Sequence, residues 1–289
     1  MNPATASSFD PWALPPLPWR FCFEVSRIAI HGKGSLRLLH GQTSQALLDL
    51  APGEQRATCF VNATAWLAAL AEITASDAGA ELLVTAGAGA EVYRALDRVI
   101  FPADQVQLQA LEALLWHGLV EDQGPGNGAG WGLAGRHWLL SAEAPLPAAL
   151  QQVQPLGADL QELLRYRQGI PAAPGELNAG INPFELGLDG RVSLDKGCYL
   201  GQETLAKLHS RAGVKQQLRR CYAPPGVLLP QAGAALLGPN GERVGSITSC
   251  QVGPQGTWGL ALLRRDWFEC ENLAGVQFSL PAAASFSSH

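Results

Sequence analysis

The stretch "DKGCYLGQET", residues 195–204, sets a lysine, a thiol, two glycines, an amide and a carboxylate side by side. Upstream, "RVSLD" (191–195) alternates Val192 and Leu194 with polar neighbours, which predicts a half-buried strand. Downstream, "ETLAKLHS" places Leu205 and Leu208 on one side of a predicted helix. Cys198 is therefore expected in a turn just before a helix. The positive end of that helix and the cation of Lys196 would both favour thiolate over thiol. Gly197 and Gly201 permit a tight turn or close approach of backbone to a ligand. Gln202 and Glu203 offer the donor and acceptor groups that the edge of a heterocycle requires. The competing explanation is packing, because an isolated cysteine is commonly a small buried hydrophobe.

Outward from this turn, "GADLQELLRYRQGIP" predicts a helix capped at Asp159, with Leu160, Leu163 and Leu164 on one face and a stop at Gly169 and Pro171. After Lys215 short apolar runs ("QLRRCYA", "AALLG", "ERVGSITSC", "TWGLALLRR", "VQFSLP") alternate with "PPG", "GPNG" and "GPQG", the pattern of a terminal all-β unit, read as a small barrel. Near the start, "FCFEVSRIAIH" (21–31) predicts a strand, and "GKGSLRLLHGQTSQALLDL" supplies short helical pieces broken at Gly41. Residues 58–101 mix strand-like runs with a helix through "GAEVYRALDRVIF", an α+β pattern. The glycine-rich residues 121–135 read as a connection. Gly130, Gly132 and Gly135 satisfy G-x-G-x-x-G there, but the strand-like "RHWLL" follows where a dinucleotide site needs a helix.

Bulk composition narrows the classes. Hydrophobic residues make up 47% and charged residues 16%, which excludes a disordered chain. The longest apolar run, Ala65–Ala71, falls far short of the roughly 20 residues that cross a bilayer, so no membrane partner is expected. Residues 1–19 lack the basic start and apolar centre of a secretion signal, and a cytoplasmic protein with reduced thiols is expected. No two of the cysteines lie close enough in sequence for a local zinc or cluster loop, so no metal site is predicted. A net charge of −5 argues against a whole-protein nucleic-acid binder, yet Lys196, Lys207, Arg211, Lys215, Arg219 and Arg220 face only Glu203 across their stretch.

"KGCYLGQE", with "RQGIP", Glu176 and "NPFE" before it and "AKLHSRAGVKQQL" and "GERVGSITS" after it, resembles the YgfZ-type folate-binding proteins, relatives of the glycine cleavage aminomethyltransferases. The resemblance runs from about Leu163 to Leu263, with a weaker match over "LRLLHGQTSQAL". It implies an α+β, three-domain ring: a discontinuous folate-binding domain (1–50 and 145–215), an inserted ferredoxin-like domain (51–144) and a C-terminal antiparallel β-barrel (216–289). It further implies tetrahydrofolate or a one-carbon derivative as cofactor, and a role in making or repairing iron–sulfur enzymes, including one that thiomethylates tRNA. Iron–sulfur enzymes or assembly factors would be the partners. By position, Lys196, Gly197, Cys198, Tyr199, Gly201, Gln202 and Glu203 match the signature; Arg165, Pro183 and Glu185 match its upstream segments. Cys198 is the expected reactive group, and Arg165, Glu185 and the other motif residues are expected to hold the folate.

One departure concerns the enzyme class. Where aminomethyltransferases carry two acids, of which one assists transfer, this chain has Ala68 and Ala69 within "CFVNATAWLAAL". A methyl group cannot move a proton, which disfavours aminomethyl transfer. The same segment lacks the Gly-Lys that many YgfZ-type proteins show after their cysteine, since Asn62, Ala63 and Thr64 stand near Cys59. Enzymatic activity is left open, a folate-dependent one-carbon transferase is the alternative, and a weak tRNA contact by the basic stretch is a third reading.

Overall fold

The computed structural model describes residues 9–121, 135–210 and 213–286. The chain runs β1 (Trp19–His31), α1 (Ser35–Gln42), β2 (Gln55–Val61), β3 (Leu67–Ser76), β4 (Gly79–Ala86), α2 (Gly89–Asp97), β5 (Gln107–Leu108), β6 (Glu112–Val120) and β7 (Arg136–Leu140). It continues through α3 (Ala148–Gln151), α4 (Ala158–Gln168), α5 (Gln202–Ser210), β8 (Gln216–Ala223), β9 (Ala235–Leu237), β10 (Arg243–Gly253), β11 (Gly256–Arg264), β12 (Asn272–Leu273) and β13 (Val276–Ser279).

Two antiparallel sheets form. The first has the order β2-β3-β4-β1-β6-β7, with β5 paired to β1. The long β1 is its spine: Ser26 to His31 pair with β4 on one side, and Trp19 to Arg27 pair with β6 on the other. This sheet joins β1 to strands beyond residue 50, so it crosses the expected boundary between folate-binding segment and insert. The second sheet has the order β12-β13-β8-β11-β10-β9 and remains open, a half-barrel with edges at β12 and β9 rather than a closed barrel.

Period-two alternation lets the second sheet bury both faces. Cys221, Ala223, Ala261, Leu263 and Phe278 fill its own concavity. Leu218, Tyr222, Leu260 and Leu262 face a core shared with Cys59, Val61 and Leu67 of the first sheet, Tyr166 of α4, and Tyr199 and Leu205 of the 195–204 region. That shared core ties the thiol turn to both sheets. No helix of the described residues is long and apolar enough to cross a membrane.

Several local expectations change. "RVSLD" is not a strand: a 3-10 turn at Asp189–Arg191 leads into bends. Ser193 N–H donates to Ser44 O (2.8 Å) and Ser44 Oγ donates to Arg191 O (2.6 Å), so the segment is stitched to the loop after α1 and its backbone groups bond there instead of in a strand ladder. Helix α4 is entered through Gly157 without a side-chain cap, while Asp159 in its first turn accepts from Gln251 Nε2 at 2.8 Å. The stop at Gly169 is in place, with φ +75°. Gly41 does not break α1, which runs on to Gln42, and no second helix follows before β2. Residues 122–134, with most of the glycine-rich connection, lie outside the described residues.

Candidate functional site: a pinned thiol turn and a polar cavity

Cys198 is the one exposed cysteine of the chain; Cys59 and Cys221 are buried, and Cys22, Cys250 and Cys270 are partly buried. Its neighbours explain how the turn is held. Lys196 Nζ donates to the backbone carbonyls of His40, Thr43 (2.6 Å) and Gln45 (2.7 Å). These oxygens lie at the end of α1, where helical carbonyls lack partners and a cation is favourable. The same ammonium stands 4.7 Å from the centre of the Tyr199 ring. Burial pulls the Lys196 pKa down to about 7, and the carbonyls and the ring are the groups that oppose this by stabilising its protonated form.

The contact is reciprocal. His40 Nε2 lies 2.8 Å from Lys196 O, and His40 Nδ1 accepts from Leu47 N–H at 3.1 Å. An imidazole that accepts at Nδ1 and meets a carbonyl at Nε2 carries its proton on Nε2. Lys196 is thus turned toward α1 and the Tyr199 ring, and serves the turn as a clamp.

Below the turn, Tyr199 is 8% exposed and its hydroxyl has no hydrogen-bond partner among the described residues. Burial, with the Cys59 thiol nearby, pushes the phenol up to about 12, and burial pushes Cys59 itself up to about 11. Both groups are neutral packing elements near neutral pH. Gly201, at φ +82°, lets the start of α5 touch the 61–65 turn: a Cβ there would lie 2.6 Å from Asn62 O and 3.1 Å from Val61 Cγ2. The divergent "VNATA" turn therefore adjoins the motif. Gln202 Nε2 donates to Leu194 O at 3.2 Å, while Gly197 and Glu203 are exposed.

The other expected ligand residues lie elsewhere. A cavity of about 750 Å³ opens between α4, residues 172–181 and β10; Arg165 lines it, as do Glu162, Tyr166, Arg243, Ser249 and Cys250. No residue of 195–204 lines it, and neither does Glu185, so the predicted set divides among three places: this cavity, the thiol turn and the Pro183–Leu186 turn. Every nitrogen of Arg165 is engaged: Nε with Glu162 (2.9 Å), NH2 with Glu162 (2.6 Å), and NH1 with Ile170 O (2.8 Å) and the fully buried Glu176 (3.1 Å). Glu176 also accepts from Ser249 Oγ at 2.7 Å, which links α4 to β10. Burial would lower the Arg165 pKa, but the two carboxylates hold it above its ordinary value. Burial would likewise raise Glu162, but the Arg165 guanidinium keeps it below the usual carboxylate range.

Glu185 closes a capping box with Asn182: Asn182 N–H donates to Glu185 Oε2 (3.0 Å) and Glu185 N–H donates to Asn182 Oδ1 (3.2 Å). Burial pushes this carboxyl up, with the Asn182 amide, Gln216 and Lys215 acting against it. Sequence reasoning missed Glu162, Ser249 and His40. Only the i,i+3 spacing of Glu162 and Arg165 gave a local signal.

The fold is that of the glycine cleavage aminomethyltransferases: the structure of aminomethyltransferase T from Bartonella henselae superposes with a TM-score of 0.72 over 93% of this chain and 88% of that one, at 19% sequence identity. No family model matches the chain. Identity is 36% over 104 residues with the human mitochondrial iron–sulfur cluster assembly factor IBA57, and 29% over 122 residues with an aminomethyltransferase of Caldanaerobacter subterraneus. It is 37% over 113 residues with a chloroplastic protein of Arabidopsis thaliana that carries a provisional transferase name. These matches cover 34%, 42% and 38% of this chain, and the chain spans only 28%, 32% and 25% of those relatives' lengths. The similarity expected from "KGCYLGQE" is thus found in part of the sequence, to aminomethyltransferases and to IBA57 factors, and in the fold, to an aminomethyltransferase.

Proposed function

We propose that this protein is a tetrahydrofolate-binding accessory factor for the synthesis or repair of iron–sulfur enzymes, a tRNA-thiomethylating enzyme among them, with Cys198 as its reactive group. The observation that carries this reading is the lone exposed thiol, set on a turn whose backbone is clamped by Lys196 and His40. Holding a nucleophile on rigid surroundings is what a thiol that meets a partner protein requires. The shared sequence with IBA57 factors supports the iron–sulfur assignment. In this reading the chain keeps the three parts given above, with the first sheet spanning the folate-binding segment and the insert, and the protein works in the cytoplasm.

The cavity beside α4 fits a folate. Its volume of about 750 Å³ lies in the range of small-molecule sites, and its walls combine apolar surface with a few fixed polar groups. Glu162, held ionised by Arg165, would accept from the N–H edge of a pterin, and the exposed Arg243 at the mouth would meet the carboxylate tail. Arg165 acts there by fixing Glu162. Lys196, Gly197, Tyr199, Gly201, Gln202, Glu203 and Glu185 serve in this reading by shaping the thiol turn and its supports. Tetrahydrofolate, when bound, would supply a one-carbon carrier.

The alternative, an aminomethyltransferase-like transferase, draws on the fold and the Caldanaerobacter relative. It meets an exposed Ala68 and a buried Ala69 where acid–base groups are needed. Titrating the reduced protein with tetrahydrofolate, read by tryptophan fluorescence, separates the parts. Binding should survive Cys198→Ser and weaken in Glu162→Gln, while iron–sulfur client activity in cells is lost with Cys198→Ser. Full client activity of Cys198→Ser would overturn the role of the thiol, and unchanged binding by Glu162→Gln would remove folate from this cavity.

A further inference from the structure

A second polar cluster lies where α4 meets β8 and the chain after β13. Arg220 of β8 is half-buried; its guanidinium stands 4.7 Å from the Trp12 ring centre, and its Nε donates to Ser279 Oγ at 2.7 Å. Ser279 pairs with Arg220 across the β8–β13 ladder. Three residues further on, Ala282 N–H donates to Arg167 O (2.8 Å), so this short strap carries the chain from beside Arg220 to beside Arg167. A Cβ on the neighbouring Gly169 would lie 2.4 Å from Pro281 Cβ, which shows how closely the strap lies on α4.

Arg167 is also half-buried, and its charge acts on Arg220. Burial is the larger influence on Arg220, Arg167 adds to it, and both lower its pKa. Among the described residues, neither guanidinium lies within ion-pair distance of a carboxylate. Asp10 is the only carboxylate there that acts on Arg220, and its Oδ1 already accepts from Trp12 N–H at 2.9 Å. Two cations against one acid that makes no ion pair with Arg220 leave positive charge unbalanced in partly desolvated surroundings. Such an arrangement is unfavourable unless an anion completes it. Nor is it part of the folate cavity, because neither Arg167 nor Arg220 lines that space.

We infer that Arg167 and Arg220, with Ser279 beside them, form a binding site for an oxyanion, the phosphate or carboxylate group of a small ligand, separate from the cavity beside α4. Guanidinium forks suit such groups because they donate paired N–H bonds to two oxygens at once. Trp12, packed on Arg220, reports on occupancy.

The test titrates the full chain with inorganic phosphate or with glutarate at constant ionic strength, against chloride as the blank, following tryptophan fluorescence and thermal stability. Saturable binding of one of the two anions is expected. A response to phosphate alone assigns a phosphoryl group, and a response to glutarate alone assigns a carboxylate. Arg167→Gln should weaken the response about tenfold, the loss of one charge-assisted fork, and in chloride alone should be at least as stable as the wild type because the like-charge neighbour is gone. Arg220→Lys keeps the charge and the packing stem but loses the fork, and should weaken binding similarly. No saturable response to either anion, or an equal response in Arg167→Gln and wild type, would overturn the site.

Discussion

Alanine at Gly201 and alanine at Gly197 should differ in cost, and the difference measures how tightly the thiol turn is seated. Both glycines occupy the left-handed region, at φ +82° and φ +91°. Placing an L-residue there costs about 1–2 kcal/mol in either case. The surroundings then separate the two. At Gly197 a new Cβ meets nothing within 4 Å, whereas at Gly201 it would lie 2.6 Å from Asn62 O and 3.3 Å from Ala65 Cα, both backbone atoms of a turn that packs into the shared core. Forcing such an overlap apart adds about 1–3 kcal/mol, so Gly201→Ala should lose about 2–5 kcal/mol and Gly197→Ala about 1–2. Urea unfolding, compared at equal m-values, reads both. Equal losses for the two variants would refute the reasoning, since the turn would then not bear on residues 61–65.

Three further outcomes are expected. Arg165→Met strands the fully buried Glu176 without its ion pair and should lower stability by about 3–5 kcal/mol in urea unfolding, whereas an exposed pair such as Arg94–Glu91 should contribute less than about 1 kcal/mol. Lys196→Met removes the donor to three carbonyls and should cost about 2–4 kcal/mol; Lys196→Arg should not restore it, because a planar fork cannot aim its hydrogens at three oxygens around one point, so wild-type stability in the arginine variant would count against the clamp. Glu185 has a folded pKa raised above 4.5, so its stabilising contribution is complete below that value and is lost as pH rises through the raised one. Glu185→Gln should therefore gain stability relative to wild type between acidic and neutral pH, and an unchanged pH–stability curve would contradict the assignment.

Much of the frame was legible because its causes are local. The alternation of β1, the apolar runs of β8, β10 and β11 between glycine–proline turns, and the stop of α4 at Gly169 all follow from periodicity and backbone preference. "RVSLD" failed for a tertiary reason. Its alternation is real, but Ser193 bonds to the loop after α1 and the segment joins no strand ladder. Asp159 likewise looked like a cap, yet it reaches Gln251 on β10, a partner that no local rule supplies.

The site divides in the same way. From the sequence alone follow the glycine-bounded turn before a helix at residues 195–204, the place of Cys198 in it, and the similarity of part of the chain to aminomethyltransferases, since motif, spacing and identity are properties of consecutive residues. Only the tertiary structure decided what the charged groups do. Lys196 reaches the carbonyls of residues 40, 43 and 45, and Arg165 is consumed by Glu162 and Glu176. A cation beside a thiol in sequence remains available to it only if no better acceptors lie nearer in space, and here the unpaired carbonyls at the end of α1 are those acceptors.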